Sequence, residues 1–279
     1  MVRLRENSVT DTIDLDAYFA RIGYSGPRNA TLETLRALHA LHPGSIAFEN
    51  LDPLMGRRVH LDMGSVQRKL VEGRRGGYCF EQNGLFAEVL SRLGFVVAGL
   101  SARVLMGAAP GTTRRSHMLL KVSLPEGDYI ADVGFGSRTL SAPLRLRDEA
   151  EQETPNGPRR VLRAGGDFDL SIPIDGEWKT IYRFSLEEHY DQDYEVANWY
   201  TSTHPDSPFT KRLMAARTEP ERMLGLLDNQ FAIHRPDGTT ERRELKNAGE
   251  IADVLEREFA ICLPTPREEL MGVLARLVP

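Results

Sequence analysis

Residues 74–86 read RRGGYCFEQNGLF, and the fold turns on how a cysteine sits between a glycine pair and a helix. Gly76 and Gly77 let the backbone turn tightly before Cys79. Directly after it, Phe86, Val89, Leu90 and Leu93 fall on one helical stripe, and Gly94 supplies a C-terminal stop. The spacing therefore predicts a helix whose N-terminus carries the Cys79 sulfur. Unpaired amide donors and the positive end of the helix dipole favour thiolate over thiol there, which makes Cys79 a candidate nucleophile. A free cysteine is otherwise a small buried hydrophobe, so spacing alone leaves both readings open.

Upstream, Thr31 is a plausible N-cap for LETLRALHALH, where Leu32, Leu35, Leu38 and Leu41 recur every three residues and Pro43-Gly44 predicts the stop. His39 and His42 share a turn of this helix. Without an acidic or cysteine partner they read as helix-surface residues rather than metal ligands, and no metal is expected. Residues 1–95 thus look mostly helical.

Downstream the texture changes. FVVAGLSARVLMG, HMLLKVSL and DYIADVGFG are short apolar runs separated by Gly, Pro and charged residues, as in consecutive strands. A β-rich part is expected over 96–210, interrupted by RDEAEQETPNGPRR, 147–160, as an exposed loop. From 211 to 279 the pattern is mixed: QFAIHR and TTERREL flank Pro236-Asp237-Gly238 as a hairpin, and EIADVLEREF reads as an amphipathic helix.

A thiolate nucleophile needs a base. His117 enters an apolar run from the polar loop GTTRRS, and Asp132 interrupts the next one, where a carboxylate is costly without a partner such as an imidazole N–H. A two-residue turn centred on Glu126-Gly127 places Asp132 opposite Lys121, on the face of His117 but further along the strand. The two then meet only through a different turn or a bulge. Cys262, in FAICLP, reads as a packed core residue.

The chain has 279 residues, 41% hydrophobic and 27% charged, with a net charge of −5, as expected for a soluble protein of two or three domains. No global positive field exists to hold nucleic acid or an anionic membrane. Two cysteines are too few for a disulfide framework, and no secretion signal or long apolar run is seen, so a cytoplasmic protein is expected. No Walker A loop, G-x-S-x-G elbow, H-E-x-x-H or complete dinucleotide fingerprint is found.

Five segments in order resemble the arylamine N-acetyltransferase family: AYFARIGY (17–24), TLETLRALHALHPGSIAFENLDPL (31–54), RGGYCFEQN (75–83), HMLLKV with ADVGFG (117–136), and NWYTSTHPDSPF (198–209). The resemblance implies an α+β, multi-domain fold. Its parts are an N-terminal helical bundle (1–95), a central β-barrel (96–210) and a C-terminal α/β lid (211–279), with a papain-like Cys-His-Asp arrangement. It implies Cys79 as nucleophile, His117 as its base and acid, and Asp132 as the group that orients the imidazole. It further implies Arg21 and Glu49 as a structural ion pair, Arg75 beside the nucleophile, and Phe48 and Phe135 near the acceptor. For the donor, acetyl-CoA, it implies Thr113, Tyr200 and Ser207; Arg114 is added on the ground that an acidic protein needs a local cation for a phosphorylated ligand. The expected partners are acetyl-CoA and a small arylamine or hydrazine, with the chain a monomer or homodimer. The same triad logic serves any acyl transfer, so a cysteine hydrolase or transglutaminase-like enzyme is the rival reading, and a silent binding module a third.

Overall fold

The computed structural model describes residues 13–108, 111–146 and 150–278. Helices α1 (Leu15–Ile22) and α2 (Leu32–Ser45) open the chain. As expected, the Thr31 side chain caps α2 by accepting from Thr34 N–H. The helix does not stop at Pro43-Gly44: Pro43 lies inside its last turn, and Ile46 N–H still bonds the His42 carbonyl. So near the end, a missing N–H and a crowded carbonyl disturb little of the helix.

Strand β1 (Phe48–Glu49), the single turns α3 (Leu51–Leu54) and α4 (Met63–Val66), and a π-helical stretch over Gln67–Glu72 lead to α5 (Cys79–Arg92). The apolar stripe of α5, with Leu85, Phe86, Val89 and Leu90 fully buried, packs with α1, α2 and one face of the next sheet in a single core.

That sheet holds β2 (Val96–Val104), β3 (Arg115–Leu124), β4 (Gly127–Ala131), β5 (Leu144–Arg145), β6 (Arg160–Ala164), β7 (Asp167–Ile174) and β8 (Glu177–Phe184). Its order is β5-β4-β3-β2-β8-β7-β6, antiparallel throughout, curled into a nearly closed, barrel-like form. Strand β3 is buried on both faces. Met118, Leu120 and Val122 meet the helices, whereas Leu119 joins the separate core with Leu100, Ile130 and Leu170. This explains why Met118-Leu119-Leu120 is a continuous apolar stretch rather than an alternation.

The β3–β4 register corrects the expected turn. Leu124 pairs with Gly127, so the two turn residues are Pro125-Glu126. Continued, this register sets Asp132 against Leu119, diagonal to His117 on the same face and within reach of long side chains. The segment 147–160 is also not simply exposed. Residues 147–149 lie outside those described, but Gln152 bridges Arg159, and Asn156 and Arg159 are buried.

Helix α6 (Asp191–Thr203) follows, then β9 (Met214–Thr218), β10 (Met223–Leu227), β11 (Gln230–His234), β12 (Thr240–Glu244), α7 (Ala248–Arg257) and α8 (Arg267–Leu274). The expected hairpin joins β11 to β12 through Pro236-Asp237-Gly238. The second sheet runs β1-β9-β10-β11-β12, so a two-residue strand from the helical part becomes its edge. Ala47, Leu51 and Leu54 accordingly belong to the C-terminal core with α7 and α8. Cys262 is exposed, contrary to expectation: Phe259 and Ile261 point inward, while Ala260 and Cys262 point out. Among the described residues, no helix is long and apolar enough to cross a membrane.

Candidate active site

Cys79 is the first residue of α5, and the turn before it is forced by close backbone approach. A Cβ at Gly76 would lie 2.1 Å from the Ala47 carbonyl oxygen, and one at Gly77 would lie 2.7 Å from Glu81 Oε2. Gly77 bridges Phe48 in parallel, which ties the turn to β1. The Glu81 carboxylate accepts from Tyr78 N–H at 3.1 Å and so caps the helix.

Cys79 is 4% exposed, its sulfur donates to the Ser116 carbonyl at 3.7 Å, and it lies close enough to the His117 side chain to act on its charge. The other face of that ring reaches Asp132: Nε2 to Oδ2 is 2.8 Å. Asp132 is fully buried, and its Oδ1 accepts from Asn83 Nδ2 and from Gly134 N–H, both at 3.0 Å. Burial opposes a charged imidazole, but the Asp132 carboxylate and the bonds to Asp132 and Cys79 outweigh it, raising the His117 pKa to about 10. Burial likewise opposes the Asp132 charge, but His117 and the other donors win and hold its pKa below the ordinary value. The arrangement is a buried ion pair with a sulfur at its open end.

Several partners of this pair were not foreseen. His39 and His42 are fully buried, not on the helix surface, and burial pushes their pKa values down to about 4 and about 3. His39 Nε2 accepts from Asp132 N–H at 3.1 Å, while His42 bridges Tyr18 Oη and Gln82 Oε1. The Gln82 amide donates to the Ile46, Ala47 and Gly77 carbonyls, and Asn83 also binds the Met118 carbonyl and Val133 N–H. Tyr182 is fully buried with its ring 5.1 Å from His117 and its hydroxyl facing Asp132. The available signal was three polar residues, Glu81-Gln82-Asn83, at the head of an apolar helix, and two histidines on a leucine stripe. Among the described residues, no group of His, Cys, Asp and Glu is placed to hold a metal.

The expected pairing of Arg21 with Glu49 is not formed. Glu49 bonds Arg75 at 2.8–2.9 Å, because Glu49 N–H is held by the Gly77 carbonyl and β1 therefore lies beside the 75–77 turn. Arg21 instead donates from Nε to the Leu70 carbonyl, and burial followed by the Arg74 charge lowers its pKa to about 10. Arg75 also meets Asp52, and Lys69 meets both Asp52 and Glu81 at 2.7 Å, which makes a five-membered, partly buried network behind the Cys79 turn.

Phe135 packs edge-on to the His117 ring at 4.8 Å, and Phe48 lies against Gly136 and Phe209. A cleft of about 440 Å³ opens beside Ser116 and is lined by Arg114 and Tyr200, with the Arg114 guanidinium 4.6 Å over the Tyr200 ring. Thr113 is next in chain, and its carbonyl accepts from Arg103. Ser207 is not brought to this cleft: it is 1% exposed, and its hydroxyl donates to the Thr201 carbonyl and accepts from Phe209 N–H.

The sequence model of the N-acetyltransferase family matches residues 31–267. The chain is 42% identical over 248 residues to the arylamine N-acetyltransferase of Escherichia coli K12, which covers 88% of each. It is 41% identical over 256 residues to that of Mycolicibacterium smegmatis, covering 90% of this chain and 93% of the relative. The fold is similar to that of a solved Mycobacterium marinum arylamine N-acetyltransferase in complex with CoA, with TM-score 0.90, 39% identity, and 95% and 100% of the two chains covered.

Proposed function

We propose, from the premise that the chain belongs to the arylamine N-acetyltransferase family, that it moves an acetyl group from acetyl-CoA to an aromatic amine or hydrazine through a thioester on Cys79. The observation that carries the reading is the His117 side chain set between the Cys79 sulfur and a fully buried Asp132. With the proton on His117 and the negative charge on sulfur, the Cys79 thiolate attacks the acetyl carbonyl of the donor. A carbon–sulfur bond forms to Cys79, the bond to the CoA sulfur breaks, and the departing CoA thiolate takes the proton from His117. In the second half, the amine nitrogen attacks the thioester carbonyl, the acetyl–Cys79 bond breaks, and His117 takes the amine proton. Atoms and charges balance over the two halves with no other reactant. Asp132 holds the ring tautomer and stabilises its charged form throughout.

The proposed division of labour follows the packing. The helical part, 1–95, presents the nucleophile; the barrel, 96–210, presents His117 and Asp132; and the α/β part, 211–279, acts as a lid over the cleft. Thr113, Arg114 and Tyr200 are assigned to the donor, Arg114 as a cation for phosphate oxygens and Tyr200 as the ring beneath it. Ser207 is assigned to the donor only through the turn it caps, since its hydroxyl is already engaged. Phe48 and Phe135 are assigned to the flat face of the acceptor.

The test is direct. Incubation with acetyl-CoA alone should leave one acetyl group on the peptide containing Cys79, read by mass spectrometry, and an added arylamine should discharge it. An enzyme that turns over without ever carrying that group would overturn the ping-pong route, and acetylation that only water discharges would favour the hydrolase reading.

A further inference from the structure

Behind the Cys79 turn, on the side of the buried ionic network, lies a second cleft of about 380 Å³ that the acetyl-transfer reading does not use. Five cationic side chains line it, Arg57, Arg58, Arg68, Lys69 and Arg75, against two carboxylates, Asp52 and Glu81. In a protein of net charge −5 this is a local reversal of sign. The two carboxylates are already committed: Asp52 bonds both Lys69 and Arg75, and Glu81 bonds Lys69 and caps α5. Arg57 has an outside partner in Glu269 on α8. Arg68 donates to Ser65 Oγ at 2.9 Å, and the nearby Asp62 carboxylate is engaged in capping Ser65 N–H. Among the described residues, neither Arg58 nor Arg68 forms an ion pair. Lys69 Nζ donates to Asp52 and Glu81, which leaves one of three ammonium donors for the cleft.

The wall is positioned rather than loose. The Val59 carbonyl, between Arg58 and His60, accepts from Asn198 Nδ2 at 3.0 Å, and Asn198 in turn holds the Tyr78 hydroxyl. Forked guanidiniums with unused donors around a recess, and an ammonium at its floor, match an oxyanion with several acceptor oxygens.

We infer that this cleft is a binding site for a phosphate-class polyanion, held by Arg58, Arg68 and Lys69 and separate from the cleft beside Ser116. Its floor is one hydrogen bond from the carboxylate that caps the nucleophile helix, so an occupant shares Lys69 with Glu81.

The experiment uses the full chain and inorganic pyrophosphate as the probe, with sodium chloride at equal ionic strength as the control. Pyrophosphate at about 100 times its Kd should raise the melting temperature saturably by roughly 5–10 °C, beyond chloride. The Arg58→Ala/Arg68→Ala double variant, which alters two exposed side chains away from Cys79, should fold, keep its basal acetyl transfer and lose the shift. The Arg114→Ala variant should keep it. Titration with CoA and with ADP separates the sources: displacement of pyrophosphate by CoA in the native chain, lost in the double variant, identifies the phosphates as the donor's own, and displacement by ADP but not CoA identifies a free nucleotide. A shift equal to that of chloride, or one that survives in the double variant, overturns the site.

Discussion

Two ionic networks flank the first turn of α5, the front one buried and the rear one partly buried, and they differ in how their charges are closed. In front, His117 and Asp132 form one pair whose remaining bonds come from neutral groups, Asn83 and the Gly134 amide. Behind, Glu49, Asp52 and Glu81 share Lys69 and Arg75 through multiple contacts. In front, a sulfur stands at the open end, so a proton can move and a charge can appear. Behind, each cation is held by two carboxylates, and the charges serve to hold the turn. Burial pushes the Glu81 pKa up to about 7, although the Lys69 ammonium beside it pulls the other way. Burial of charge does not by itself mark chemistry: what marks it is a titratable pair left with one unsaturated neighbour.

The largest effect should come from removing that neighbour. Cys79→Ser is expected to leave less than about a thousandth of the turnover with the fold intact, because a hydroxyl does not reach the ionised fraction of a thiol against the same base. Activity above a tenth of wild type would take the nucleophile role from Cys79, and Cys262→Ser, at an exposed site, should be indistinguishable from wild type.

Next comes the front pair. Asp132→Asn should lower kcat by roughly 10³ to 10⁴. It should also change the pH profile, with a sign fixed by the two shifts. His117 is raised from 6.5 to about 10, so its contribution to stability is complete below 6.5 and is lost as pH rises toward 10. Asp132 is lowered from 3.8, so its contribution is complete above 3.8 and is lost as pH falls through its folded value. In wild type the alkaline loss of activity should therefore lie far above neutrality, and in Asp132→Asn it should move down toward pH 6.5. An unmoved alkaline limb would show that Asp132 does not set the charge on His117.

Breaking the rear network should act on stability instead. Glu49→Ala strands Arg75 beside Asp52 alone, at a cost of about 3–5 kcal/mol, or a melting temperature lower by on the order of 10 °C. Calorimetry together with turnover below the transition tests the contrast. Unchanged melting with lost turnover would move Glu49 into the reaction.

The smallest effect concerns the donor cleft. Arg114→Ala should raise the Michaelis constant for acetyl-CoA by about two- to fivefold, more at low salt than at high, and leave the arylamine half-reaction unaltered. Equal constants at both salt concentrations would make Arg114 a solvated loop charge.

What depends on neighbours along the chain is legible in the sequence. The Gly76-Gly77-Tyr78-Cys79 turn, the stripe of α5, the Thr31 cap and the hairpin at Pro236-Asp237-Gly238 are local, and period, glycine placement and capping chemistry specify them. Asp132 was suspect on local grounds too, as a carboxylate inside an apolar run. The distant pairings depend instead on how the elements pack. Whether Asp132 reached His117 depended on a turn one residue earlier than expected, which changes the register by two. The partner of Glu49 was Arg75 rather than Arg21 because β1 leaves the helical part and joins β9, a contact between residues far apart in sequence. His39 and His42 read as surface residues because a helix shows its own periodicity but not what covers it. The covering groups, Asp132, Gln82 and Tyr18, arrive from three other elements, and burial by distant chain is the one property that spacing along a single element does not encode.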